Sequence, residues 1–271
     1  MKKIAIILAA IMLIFAFASC AKEQQDFTSI NDYVAPSTEH KIETGTLSFK
    51  SVGGENASIT DYVGLYTEHE IVIPAKVGDA NRGERTVVAI GNEAFYYTTA
   101  ATAITIPNTV TSIGDWAFAG CTSLETIVIP ASVTSIGKGA FMGCTNLKSV
   151  VFEGDGITAI ADYTFMNCSA LETVVLPESV SSIGVFAFNN CEKLTAFTAS
   201  EALKSIGDLA FADCTALNSD GAIKLSASIE SIGEFAFSGI NKDYITAPAD
   251  SYAAEYVAEM RDATEDATEA E

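Results

Sequence analysis

Residues 121–143 have the sequence CTSLETIVIPASVTSIGKGAFMG, and this stretch contains one complete unit of a repeat. Within it, Ile127 and Ile129 stand two residues apart, which is the period of a β-strand whose alternate side chains face a core. Pro130 ends this strand, because proline has no N–H group to donate to a continuing sheet. The first half of the unit is therefore predicted to be a short strand.

The second half of the unit supplies another inward-facing set of side chains and a return of the chain. Val133 and Ile136 form a second apolar pair, and Gly137 permits a bend of the backbone. The next residues form a turn or a short helix whose Ala140 and Phe141 point into the core. One repeat therefore makes one coil with a strand, a bend and a compact return.

The hexapeptide Ile-Gly-x-x-Ala-Phe recurs seven times along the chain, and only the fourth copy departs from it, with Ala161 and Thr164. The copies are separated by 23, 23, 24, 23, 23 and 26 residues. A single coil cannot bury its own inner face, so the coils stack with their strands about 4.8 Å apart. We predict a solenoid of repeats of about 23 residues that forms a curved, right-handed coil. The copies begin at Ile90, Ile113, Ile136, Ile160, Ile183, Ile206 and Ile232.

These residues resemble the BspA-like leucine-rich-repeat family of bacterial cell-surface proteins. The motif that carries the resemblance is L-x-x-I-x-I-P-x-x-V-x-x-I-G-x-x-A-F-x-x-C, complete at residues 124–144. The resemblance covers residues 47–258. It implies a secreted or anchored protein, and some members of the family act as adhesins that bind host proteins or other microbes.

The amino terminus has the features of an export signal. Lys2 and Lys3 precede an uncharged apolar stretch at residues 4–17, and small residues then lead to Cys20. A run this short is typical of a signal peptide and not of a membrane-spanning helix. Its end at a cysteine resembles the lipobox of bacterial lipoproteins, which implies that Cys20 is diacylated and becomes the first mature residue. The alternative is an ordinary signal peptide cleaved nearby.

The remaining segments complete the predicted organisation of the chain. Serine at position 251 is placed to cap a last helix, and the acidic, low-complexity end is too polar to form a core. The predicted parts are a lipoprotein signal peptide (1–19), a flexible tether (20–45), a β-rich cap with a first irregular repeat (46–85), the leucine-rich repeats (86–240), a carboxyl-terminal cap helix (241–261) and an acidic tail (262–271).

The charge of the chain excludes two classes of partner. With 35 acidic and 15 basic residues, the formal net charge is −20. Nucleic-acid binding needs a basic stripe, and electrostatic docking on anionic lipid also needs basic residues. The acidity instead favours a soluble surface, and we expect a monomer.

Five cysteines besides Cys20 each follow a repeat phenylalanine by three residues. Equivalent positions of stacked coils have parallel Cβ vectors, whereas a disulfide needs Cβ atoms about 3.8 Å apart and a torsion near 90°. We therefore predict buried, free thiols that act as small apolar side chains. A ladder of this kind offers no tetrahedral cluster for a metal. The five residues are Cys121, Cys144, Cys168, Cys191 and Cys214.

No catalytic constellation is visible in the sequence. The two histidines, His40 and His69, lie outside the repeats, and no Gly-x-Ser-x-Gly, His-Glu-x-x-His or phosphate-loop pattern occurs. The carboxylates are scattered at outward positions. We expect no enzyme activity and no cofactor.

The outward residues of the first strands form the main candidate binding surface, here called the strand face. It is predicted to be flat, built from small side chains, with three adjacent valines at its centre. Ordinary β-propensity of exposed strands also favours valine and threonine, so this composition has a structural explanation as well. The candidate residues are Thr105, Thr126, Val128, Ser149, Val151, Thr173, Val175 and Thr198.

The fourth residue of each hexapeptide forms an alternative surface, here called the outer row. Large apolar residues recur at this position, chiefly Trp116, Tyr163 and Phe186. If the following alanine and phenylalanine point inward, these rings are at least partly outside and mark an interaction site. Alternatively, each ring lies over the neighbouring coil and closes it.

Together these features predict a lipid-anchored protein of the bacterial envelope, exposed at the outer surface, that binds a protein partner on a host or neighbouring cell. The adhesin-like role comes from the family resemblance. The alternative is a glycan-binding or other accessory envelope lipoprotein without catalytic activity. A glycan site should combine aromatic platforms with clustered Asp, Asn and Arg, and the repeats contain little arginine.

Overall fold

The computed structural model describes residues 38–42, 45–64, 69–79, 83–219 and 221–260 of the 271-residue chain. Cys20 and the predicted signal peptide and acidic tail lie outside these residues. The described chain begins with strands β1 (Thr38–Ile42), β2 (Gly45–Ser51), β3 (Asn56–Gly64), β4 (Glu70–Val72), β5 (Lys76–Asp79) and β6 (Gly83–Ile90).

Strand β1 lies within the segment that the sequence analysis assigns to a flexible tether. It pairs antiparallel with β2 over all five of its residues, from Thr38 opposite Phe49 to Ile42 opposite Gly45. Without β1, β2 would present a row of unpaired N–H and C=O groups at the sheet edge. Residues 38–42 of the predicted tether therefore form an edge strand of this sheet. The remainder of the predicted tether, apart from Gly45, lies outside the described residues.

From β7 onward, each repeat contributes two short strands separated by a bend. Within the described residues, one α-helix follows the last strand, and 3₁₀ turns occur at Thr215–Leu217 and Lys242–Tyr244. The elements are β7 (Ala103–Thr105), β8 (Ser112–Ile113), β9 (Thr126–Ile129), β10 (Ser135–Ile136), β11 (Ser149–Phe152), β12 (Ala159–Ile160), β13 (Thr173–Val174), β14 (Ser182–Ile183), β15 (Phe197–Thr198), β16 (Ser205–Ile206), β17 (Ile223–Lys224), β18 (Ser231–Ile232), β19 (Ile245–Thr246) and α1 (Tyr252–Glu259).

The strands stack in two parallel ladders, so the predicted solenoid is confirmed. The first strands of the coils pair in the order β4–β7–β9–β11–β13, and a separate group pairs as β15–β17–β19. The second strands pair as β6–β8–β10 and, separately, as β12–β14–β16–β18. Each ladder therefore has one interruption, and the two interruptions lie at different repeats.

The core is centred on a stack of the repeat phenylalanines. Their rings follow one another at centroid distances of 5.1 to 5.5 Å with interplanar angles of 5 to 19°. Tyr62 of the amino-terminal cap extends the stack at one end, 5.3 Å from the first ring. The inward assignment of these residues is confirmed, since all seven are fully buried: Phe95, Phe118, Phe141, Phe165, Phe188, Phe211 and Phe237.

The return of each coil is a turn that contains left-handed backbone. The residue two places after each phenylalanine has a φ between 55° and 81°. Gly, Asn and Asp adopt this region most readily, and they hold six of the seven positions. The residues are Tyr97, Gly120, Gly143, Asn167, Asn190, Asp213 and Gly239.

The hexapeptide glycine is required by close approach of neighbouring coils. A Cβ on Gly137 would collide with the backbone N of Asp115 in the preceding coil. The Asp115 side chain also reaches across, because its Oδ1 accepts a hydrogen bond of 2.8 Å from the Lys138 N–H. The fourth hexapeptide carries Ala161, and β12, just before it, does not pair with β10.

Helix α1 covers the carboxyl-terminal end of the core. Ser251 is its N-cap, with Oγ accepting a 3.1 Å hydrogen bond from the Ala254 N–H; the predicted cap is thus confirmed. The Tyr256 ring packs edge-on against Phe237 at 6.3 Å. Among the described residues, no helix is long and apolar enough to span a bilayer.

Candidate functional site

At the centre of the strand face, the outward residues of successive strands are small and uncharged. Thr126, Ser149 and Thr173 are paired across β9, β11 and β13, and Val128 is paired with Val151. Their neighbours in the chain, Ile127 and Val150 among them, are buried. Alternation along each strand therefore directs the small polar side chains and the valines outward.

The valines at the centre are exposed. Val128, Val151 and Val175 have 43, 49 and 82 % of their surface accessible. Thr105 and Thr198, at the equivalent positions of β7 and β15, are also exposed. An apolar row of this kind can be covered by a partner without first removing water from charged groups.

One valine of this row was missed by the sequence analysis. Val72 of β4 is 61 % exposed and is paired with Thr105, so it continues the row toward the amino terminus. The signal was present in the sequence, since Ile71, Val72 and Ile73 are followed by proline, as are Ile127–Ile129 in the complete repeat.

Charged residues border the strand face where the first strands begin. Lys148 Nζ lies 2.8 Å from Glu125 Oε2 in the preceding coil, and both side chains are about half exposed. The hydrogen bond to this carboxylate, and then its charge, raise the pKa of Lys148. Glu172 occupies the equivalent position of the next coil and is exposed. The border is therefore mixed in charge, whereas the centre is neutral.

The strand face is opened by a cleft of about 390 Å³ between β13 and β15. A backbone hydrogen bond still joins Thr195 N–H to Glu172 O at 3.2 Å, just before the two strands. Within the described residues, no backbone hydrogen bond joins residues 173–176 to residues 196–199. The two strands thus separate toward their carboxyl ends.

Two residues of β15 and its continuation explain why the cleft is open. Phe197 replaces the aliphatic residue of other repeats, and its ring is drawn inward, 4.4 Å from Phe211. Ala199 stands where the complete repeat has Ile129, so it leaves space unfilled. Val174 and Leu176 face this space and are half-buried, whereas Ile129 is 1 % exposed.

The outer row is largely covered by its own stacking. The Tyr163 ring lies 6.3 Å from Trp116 and 5.7 Å from Phe186, and the three rings are nearly parallel. The Trp116 ring also lies over Gly139, where a Cβ would collide with it. Phe186 is only 8 % exposed, so little of it is available to a ligand, although Phe235 at the carboxyl-terminal end is 51 % exposed.

The backbone of the outer row is left-handed, which the sequence does not suggest for aromatic residues. The φ angles of Trp116, Tyr163 and Phe186 are 57, 62 and 56°. This conformation costs on the order of 1–2 kcal/mol per residue. It directs each N–H to the next coil, as in the 2.8 Å bond from Trp116 N to Lys138 O. The intercoil hydrogen bonds and ring stacking therefore hold it in place.

The five repeat cysteines are free and buried, as predicted. Each Sγ lies 3.0 to 3.2 Å from a phenylalanine carbonyl oxygen of the preceding coil and is placed to donate to it. Burial raises the pKa of Cys168 to about 12 and also raises the pKa values of Cys144 and Cys191. These thiols are therefore part of the core. In the portion of the chain that the structure describes, no group of three or more His, Cys, Asp or Glu residues is placed to hold a metal ion.

Comparison with known proteins identifies the repeat. Residues 88–218 match the model of the BspA type leucine rich repeat region in six copies. A solved leucine rich repeat protein of T. pallidum is 26 % identical over 83 % of this chain and 97 % of that chain, with a TM-score of 0.66. No curated protein sequence matches this chain.

Two further solved structures are similar. A leucine-rich repeat protein from Eubacterium ventriosum is 32 % identical over 68 % of this chain, with a TM-score of 0.58, and this chain spans only 45 % of that protein. A leucine rich cell surface protein from Faecalibacterium prausnitzii is 25 % identical over 78 % of this chain and 76 % of that chain, with a TM-score of 0.45.

Proposed function

Because this chain belongs to the BspA-type leucine-rich repeat proteins through residues 88–218, we propose that it is an anchored, surface-exposed bacterial protein that binds a protein partner through its strand face. Stacked repeats present extended surfaces to partners, and leucine-rich repeat proteins are generally binding scaffolds without catalysis. The role is that of an adhesin-like protein on the outside of the cell.

The observation that carries this proposal is the exposed valine row. Val128, Val151 and Val175 occupy equivalent positions of successive coils and expose 43, 49 and 82 % of their surfaces. Each valine that a partner covers completely contributes roughly 1.5–3 kcal/mol. Ordering costs of association reduce this gain, so several adjacent coils have to contribute to a stable complex.

The net charge of the chain favours one type of protein partner. The net charge of −20 repels acidic proteins and accelerates encounter with basic ones. The exposed Glu172 lies beside the neutral centre of the strand face. A partner with an apolar patch bordered by Lys or Arg fits this surface best.

Anchoring is proposed to come from lipid on Cys20. Two acyl chains hold a protein on a membrane where one gives only marginal binding. Mass spectrometry of the mature amino terminus tests this step. A diacylated Cys20 is the expected result, and an unmodified terminus at or beyond Ala21 would contradict it.

The binding role is tested by capture on the full chain from a panel of purified host matrix proteins and glycans. The test variant carries Val128→Lys, Val151→Lys and Val175→Lys. A matched control carries three lysines on the ladder of second strands, at Ser135, Ala159 and Ser231, which are exposed. Both chains must melt as the parent does before their binding is compared.

Loss of a protein partner in the valine variant, with retention in the control, is the expected result. Equal binding of the partner by both variants would show that the strand face is not the binding site. Capture of glycans alone would replace the proposed protein partner with a carbohydrate ligand.

A further inference from the structure

The cleft between β13 and β15 differs from the rest of the strand face because it has depth. Its volume of about 390 Å³ is near the lower end of the range of roughly 300–1,000 Å³ found for ligand pockets. Its walls are mainly apolar, with Val174 and Leu176 on one side and Phe197 and Ala199 on the other. Such walls favour an apolar group of the size of one or a few side chains.

The lip of the cleft formed by β13 also carries N–H groups without partners in the ladder. Phe197 and Ala199 donate their N–H groups forward to Ala222 O and Lys224 O, at 2.7 and 2.8 Å. Val174 and Leu176 stand at the same positions one coil earlier, and within the described residues no backbone hydrogen bond joins them to β15. A bound segment in extended conformation can use such groups, as in β-strand addition.

One charged residue lines the cleft. Glu178 is exposed and is the only charged side chain among the described residues that form the walls. The ion pairs found elsewhere in the described chain, such as Lys148 with Glu125 and Lys204 with Glu230, do not include it. Its carboxylate is therefore available to a cation next to the apolar space.

We propose that this cleft holds an apolar side chain of an extended segment of the protein partner, with a neighbouring Lys or Arg of that segment paired to Glu178. The proposal rests on the proposed function, because it gives one anchoring point for a partner on the strand face. Complementary charge, apolar walls and the unpaired N–H groups of the β13 lip all favour the same occupant. A free fatty acid or a glycan would leave Glu178 without a cation.

The test is selection from a phage-displayed library of random nonapeptides on the purified full chain. Enriched peptides should contain Leu, Ile, Met or Phe next to Lys or Arg. A fluorescent copy of the most enriched peptide then serves as the probe for binding to the variants. Enrichment of acidic or wholly polar peptides, or no enrichment, would overturn the proposal.

The decisive variant is Ala199→Ile, which restores the residue type that closes the complete repeat. It should weaken probe binding by at least about tenfold, equivalent to ~1.4 kcal/mol, without loss of folding. Ala103→Ile is the control, because it adds the same side chain at an outward position of β7 that lies outside the cleft. Equal effects of the two changes would contradict the proposal.

Charge reversal gives a second, independent measurement. Glu178→Lys should weaken binding of the basic probe by about tenfold, whereas Glu153→Lys, an exposed residue outside the walls, should have a much smaller effect. Binding of the protein partner captured from the panel distinguishes the cleft proposal from the proposed strand-face function. If Val128→Lys and Val151→Lys abolish capture but Ala199→Ile does not, the cleft proposal fails and the strand face stands. If Ala199→Ile abolishes capture but Val128→Lys and Val151→Lys do not, the valine row is not part of the binding site and the cleft proposal stands.

Discussion

The strand pairs β9–β11 and β13–β15 are built from the same repeat, yet the first is closed and the second is open. β9 and β11 are paired at four successive positions, from Thr126 opposite Ser149 to Ile129 opposite Phe152. β13 and β15 belong to different sheets. The second strands of the same coils show the opposite pattern, because β14 and β16 are paired, whereas β10 and β12 belong to different sheets.

Whether two neighbouring first strands pair depends on the side chains that lie beneath them. In the closed pair, Ile127 and Ile129 fill the space under β9, and each is 1 % exposed. In the open pair, Phe197 and Ala199 replace a pair of similar size by one large and one small residue. Local changes of side-chain volume can thus create a cleft without altering the path of the solenoid.

The largest loss of stability is expected from a change in the phenylalanine stack, which supports both strand pairs. Phe141→Ala removes a fully buried ring between Phe118 and Phe165, and it should lower the free energy of unfolding by about 3–5 kcal/mol. Chemical denaturation of the full chain measures it. A midpoint equal to that of the parent would show that the stack is not the common support of the two regions.

A smaller loss of stability is expected from a change that opens the closed pair, β9 and β11. Ile129→Ala gives β9 the same small residue that directly follows β15 at position 199. It should lower the free energy of unfolding by about 2–5 kcal/mol because it leaves a cavity. The variant should also gain a cleft between β9 and β11. If an unfolding experiment finds less than ~0.5 kcal/mol, side-chain volume under the strand does not control closure.

The reverse change is expected to stabilise the open pair. Ala199→Ile fills existing space, and filling a cavity commonly adds about 0.5–2 kcal/mol. Ala103→Ile, at an outward position of β7, is the control and should change stability less. A destabilised Ala199→Ile chain that stays folded would mean that the cleft has a shape that isoleucine does not fit.

The repeat cysteines on either side of the cleft should not differ in their rate of alkylation, because the cleft does not reach them. Cys168 and Cys191 belong to the coils on either side of the cleft, and both are fully buried. The raised pKa of Cys168, about 12, keeps its thiol protonated at pH 8, whereas alkylation requires the thiolate. All five repeat cysteines should react equally slowly in folded protein and completely under denaturant without reductant. Faster reaction of Cys191 alone would show that the cleft reaches the core.

Much of the fold follows from the sequence because it is repeated. Seven copies of one hexapeptide place each phenylalanine over the next, so the core stack, the buried thiols and the exposed valines all follow from the spacing. The position of β1 does not follow, because it is set by the open edge of β2 and not by an apolar pattern of its own. The left-handed outer row was also not predicted, since its aromatic residues do not favour that backbone and intercoil hydrogen bonds impose it.

The cleft could not be predicted for a related reason. Phe197 and Ala199 are both apolar and both fit the strand pattern, so at the level of the sequence they look like ordinary variation. Their effect appears only when the volumes of two adjacent coils are compared. Sequence spacing determines which side chains face the core, and packing determines whether the ladder above them closes.

Amide hydrogen exchange tests the comparison most directly, because it measures the two strand pairs in the same chain. We expect the amides of Val174 and Leu176 to exchange much faster than those of Ile127 and Ile129, since only the latter pair is in a closed ladder. In Ala199→Ile, the first pair should become as protected as the second. Equal protection of all four amides in the parent chain would contradict an open cleft between β13 and β15.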